Sequence, residues 1–230
     1  MVVAVSAVLR ASAVVGGMAI GLIAVALAQL IPPRMEREAR DRSAGFRGTA
    51  VAVAVVFGWH AATAAAGWAL LPAYLAFGAT TLAVTLTDVD HQLIPNRILF
   101  PGMGIAAVLL VTGAVLNDGG DGLARAVVAA VAYFLFLLIV ALIARGGFGM
   151  GDVKLALLLG LFLGYIGWDA LGVGFTLAIL LGGLASVLLL VFTRRGRRAK
   201  FAYGPFLVAG AWIGLFWGPQ IADWYLGNGS

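Results

Sequence analysis

The residues Gly146-Gly147-Phe148-Gly149-Met150-Gly151-Asp152-Val153-Lys154 run without a break into the apolar stretch 155–164. A glycine-rich turn, a carboxylate and a hydrocarbon-like segment, in that order, describe an acid at the mouth of a membrane helix. A charge so near hydrocarbon costs at least about 3 kcal/mol unless it is neutralised, paired or hydrated, which makes it a functional-site candidate. Its counterpart is Asp88, in Thr87-Asp88-Val89-Asp90-His91-Gln92-Leu93-Ile94-Pro95-Asn96.

The rest of the chain agrees with a membrane setting. Of 230 residues, 63% are hydrophobic and 11% charged, where a soluble domain is about half apolar and about a quarter charged. Apolar runs at about 11–31, 48–67, 70–86, 98–116, 123–144, 152–167, 171–193 and 203–221 reach or approach the roughly 20 residues that span a bilayer as helix. They show no period-two alternation, so a barrel is excluded. The expectation is an all-α, polytopic transmembrane bundle of about eight helices, forming one membrane-embedded domain over 1–230. Within it, the first helix and the basic loop 32–47 precede a core over 70–218. Ala26-Leu27-Ala28 resembles a small-residue cleavage site, but the apolar run continues past it and predicts a retained first helix. Gly17/Gly21 and Gly160/Gly164 have the small-xxx-small spacing of close helix packing. Gly204-Pro205 predicts an early break in the last helix.

The chain has no cysteine, which excludes thiolate metal sites and cysteine nucleophiles. Its net charge of +5 is gathered in short loops, a pattern of membrane topology rather than of nucleic-acid binding. The loops after the first, third, fifth and seventh helices carry the Lys and Arg residues, densest in 32–47 and 194–200. The even loops are neutral or carry Asp118, Asp121 and Asp169. The odd loops are therefore predicted cytoplasmic and both termini external, with Arg10 and Arg125 as exceptions. Asp88 and Asp152 then fall at cytoplasmic helix ends.

Two carboxyl groups about 3 Å apart share one proton and act as base and acid together. Such a pair draws a proton from water, and the water attacks a peptide carbonyl. Gly149 and Gly151 allow the turn before Asp152 and the close approach of a substrate strand. The same residues admit other readings: Asp152 as a helix N-cap, or both acids as a proton or cation pathway. Asp88-x-Asp90-His91 is too small a set for a structural divalent metal, so neither metal nor cofactor is expected. Lys154 is expected to snorkel to the interface, near enough to influence Asp152. The 194–200 cluster suits contact with anionic lipid.

The segment 88–96 followed by Gly149-Met150-Gly151-Asp152-Val153-Lys154 resembles the type IV prepilin peptidases, membrane aspartic proteases of the Gly-x-Gly-Asp class. Phe201-Ala202-Tyr203-Gly204-Pro205-Phe206 is similar to that family's late glycine-proline segment. The resemblance spans about 70–218 and carries the catalytic roles to Asp88 and Asp152, with Asp90 as a motif neighbour that shapes the loop. It implies a hydrolase of the bacterial inner membrane that removes basic leaders from prepilin or pseudopilin precursors at the cytoplasmic face. Bifunctional members carry an N-terminal cysteine tetrad and also methylate the new N-terminus. The cysteine-free loop 32–47 therefore predicts a peptidase-only short form.

Overall fold

The computed structural model describes residues 69–117, 119–143, 149–192 and 202–227. The expected helices at 11–31 and 48–67, the pair Gly17/Gly21 and the basic segments 32–47 and 194–200 lie outside these residues. The described chain is helical, with no strand: α1 Leu71–His91, α2 Asn96–Leu116, α3 Asp121–Ile143, α4 Met150–Ile166, α5 Trp168–Phe192 and α6 Gly204–Leu226. Four segments are long and apolar enough to cross a bilayer: α2, α3, the Trp168–Val187 part of α5, and α6. The other two fall short for different reasons. α1 is diluted by four threonines and two aspartates. α4 has 17 residues, about 26 Å at 1.5 Å per residue, against about 30 Å of hydrocarbon.

Several boundaries differ from the sequence expectation. α1 continues to His91, so Asp88 and Asp90 lie in its last turns rather than in a loop. The helix ends where Gln92 adopts a left-handed φ of 51°, the conformation that commonly stops a helix and that usually falls to glycine. Gly204-Pro205 opens α6 rather than breaking it. Proline suits a first turn, where its missing N–H has no partner to lose.

The chain divides into two compact units. In the first, α1 packs on α2. Gly102 of α2 lets the helices close, since a Cβ there would collide with Thr80. Asn96 starts α2 directly after Pro95, whose carbonyl accepts from Ile98 and Leu99 N–H at 3.0 and 3.1 Å.

The second unit holds α3 to α6 together with the tripeptide Gln92–Ile94. Its centre is α4, which packs against α3, α5 and α6. Leu155, Leu158, Leu159, Phe162 and Leu163 are fully buried, which explains why this helix is apolar all round. The expected small-residue pair operates here. A Cβ on Gly160 would fall 2.7 Å from Ala130 Cα, and one on Gly164 would collide with Ala129, so α3 and α4 meet backbone to backbone. α5 and α6 meet in the same way: a Cβ on Gly214 would lie 2.6 Å from Gly174 Cα. Arg125 of α3 closes the end of α4. Its guanidinium donates to the carbonyls of Gly164, Tyr165 and Ile166 at 2.7, 2.7 and 3.2 Å, groups that a helix terminus leaves without partners. Trp168, Trp217 and Trp224 are exposed, whereas Trp212 is core, stacked on Phe216 at 5.3 Å.

Candidate active site

Asp88 belongs to the first unit and Asp152 to the second. Each is buried, with 5% of its surface exposed. Carboxylates are seldom so buried unless paired, and both are engaged by neighbours.

Asp88 sits one turn from the C-terminal end of α1. The residues around it differ sharply in exposure. Thr87 is buried at 2% and back-bonds to the Val84 carbonyl at 2.9 Å, while Val89 is 42% exposed. Asp90 lies on the same helix, and its side chain is outside what the structure describes. Pro95 is the residue before α2 and Leu93 beside it is 58% exposed.

Asp152 lies in the first turn of α4, but it is not the N-cap. Gly149 holds that position, and the Asp152 N–H donates to the Gly149 carbonyl at 3.1 Å. The carboxylate therefore stands at the positive end of the helix dipole. One oxygen, Oδ1, is buried and accepts no hydrogen bond among the described residues. Close approach explains Gly151, whereas Gly149 has an ordinary φ of −75° and a side chain there would meet only the tip of a carboxylate. A Cβ on Gly149 would fall 2.9 Å from Asp152 Oδ2. One on Gly151 would fall 2.7 Å from Ile94 Cβ. Ile94 thus lies directly on the turn that carries Asp152, within the second unit. Lys154 is half-buried on the same turn.

Two further groups accompany Asp152 that composition and spacing did not single out. Tyr133 of α3, 3% exposed, and Tyr203, the residue before α6, both lie within electrostatic reach of the Asp152 carboxylate and of each other. Tyr203 fits its ring against Gly182, where any Cβ would collide with it, and donates its hydroxyl to the Ala178 carbonyl at 3.4 Å. Burial first, and Asp152 second, hold the Tyr203 hydroxyl above the ordinary tyrosine value. Tyr203 stands in the glycine-proline segment singled out in the sequence. Tyr133 has no motif around it and emerges only from the packing of α3.

The model of the type IV leader peptidase family matches residues 75–190. A protein of Aeromonas hydrophila named prepilin leader peptidase/N-methyltransferase is 33% identical over 73% of this chain and 57% of its own length. Proteins of the same name are 32% identical in Stutzerimonas stutzeri, over 63% of this chain and 49% of the relative, and 31% identical in Bacillus subtilis strain 168, over 68% and 60%. The matched region spans about half the length of these relatives. No solved structure matches the chain.

Proposed function

Because the chain belongs to the type IV leader peptidase family, we propose that it is a membrane aspartic endopeptidase. It cleaves the basic leader from type IV prepilin or pseudopilin precursors at the cytoplasmic face of the bacterial inner membrane. Asp88 and Asp152 supply the chemistry. The observation that carries this reading is the burial of both acids, each near a helix end and each inside the motif that the family resemblance picks out. The packing of Ile94 on Gly151 within the second unit supports it, since each residue belongs to one of the two motifs.

In this mechanism one carboxyl is ionised and the other protonated, as two close acids require. The ionised member takes a proton from water while the water oxygen bonds to the scissile carbonyl carbon. The protonated member donates to the developing oxyanion. As the carbon–nitrogen bond breaks, a proton passes to the leaving amine and the pair is restored. The substrate's own form suits such a site: a polar leader followed by an apolar helix presents its scissile bond at the membrane interface. The methyl-transfer half of the relatives' name is not carried over. The resemblance ties that activity to a cysteine tetrad, and this chain has no cysteine.

The test is leader removal from a purified prepilin in detergent or proteoliposomes. Asp88→Asn and Asp152→Asn are each expected to abolish cleavage while the protein still accumulates in the membrane. Wild-type turnover by either variant would end the assignment of the pair. A proton or cation flux without any cleavage would put a relay in place of the protease.

A further inference from the structure

We infer that Thr85 is a positioning residue of this site, its hydroxyl holding the attacking water beside Asp88. The inference rests on the proposed proteolytic role of Asp88 and goes one residue beyond it.

Four threonines lie on α1. Thr80 donates to the Ala76 carbonyl at 2.8 Å, Thr81 to Phe77 at 2.9 Å and Thr87 to Val84 at 2.9 Å. This back-bonding is how a helix satisfies a threonine in apolar surroundings. Thr85 is different: its Oγ1 is buried and has no hydrogen-bond partner among the described residues. An acceptor of the usual kind, the Thr81 carbonyl, lies four residues back in the same helix, so the bond is not missing for want of an acceptor. A buried hydroxyl without a partner is costly, and valine would fill the same volume without that cost. Such a group in a folded protein calls for a specific reason, catalysis or an ordered water among them.

Position supplies the reason. Thr85 precedes Asp88 by three residues on one helix, so the two side chains share a face one turn apart. Asp88 is itself buried. A water held in a buried site needs two to four polar partners, and a hydroxyl one turn from a carboxylate provides two without any backbone movement. The carboxylate accepts the proton that the water gives up. The hydroxyl keeps its own proton throughout and fixes only where the water oxygen stands.

The experiment measures kcat and KM for prepilin leader removal, together with thermal stability, for wild type, Thr85→Val, Thr85→Ser and the back-bonded control Thr81→Val. Thr85→Val is expected to lower kcat by about ten- to a hundred-fold, the scale of a mispositioned reactant, with KM unchanged. Its melting temperature should hold, because valine fills the same volume and no hydrogen bond within the described chain is lost. Thr85→Ser should recover most of the rate, and Thr81→Val should turn over normally. Wild-type kcat in Thr85→Val overturns the inference while leaving the aspartic reading intact. Equal loss in the Val and Ser variants, with lowered melting temperature, overturns it in favour of packing. If wild type and Asp88→Asn are equally inert on prepilin, the proteolytic reading itself fails and this inference goes with it.

Discussion

One glycine of the motif before Asp152 has a packing reason that composition could not reveal. Gly151 is small because Ile94 occupies the space a side chain would take. Gly151→Ala overpacks that contact, a change that typically costs about 1–3 kcal/mol. It is expected to lower the melting temperature and leader removal together. Ile94→Ala in the same chain should return part of both, and a double-mutant cycle on thermal stability should give a coupling of about 1 kcal/mol. Independent, additive losses would mean the contact is not what demands glycine. The reading of Asp152 as an N-cap fails because Gly149 starts the helix and the acid falls inside its first turn. Tyr133 was hidden for another reason: an aromatic residue in an apolar run looks like any other core residue until packing brings it within electrostatic reach of a carboxylate.

At the element scale, hydropathy located all six described helices and misjudged their ends. Threonine and aspartate lower the apolar signal of α1, yet its backbone runs on to His91 before Gln92 turns it. Arg125 is the clearest case of a residue whose purpose the sequence obscured. It stood out as an exception to the charge pattern of the loops, and the structure makes it the cap of α4. Its side chain serves the termination of that helix. Arg125→Met keeps the aliphatic stem and removes those bonds. Hydrogen bonds to a charged donor contribute about 1.5–3 kcal/mol, so the variant should melt several degrees lower with KM for prepilin unchanged. An unaltered melting temperature would show that the cap contributes little.

At the scale of the whole molecule, the helical class was legible because lipid leaves few alternatives: backbone groups must be satisfied within each segment. The grouping of helices was not legible, since nothing in a linear run of apolar residues says that α4 would be enclosed by three neighbours. Sidedness remains the boldest expectation, and the absence of cysteine makes it directly testable. Leu93→Cys, in the exposed turn after α1, should react with an impermeant maleimide only after the membrane is opened. Gly120→Cys, with nothing within 4 Å of its Cβ, should react in intact cells. The reverse pattern would place both acids on the outer face and remove the leader peptide as substrate.

The assignment of Gln92–Ile94 to the second unit has a bearing on protein engineering. A chimera that replaces Gln92–Ile94 and keeps the turn at 149–154 changes one side of the Ile94–Gly151 contact and leaves the other as it was. Grafts that carry both sides of that contact together are the ones to attempt first.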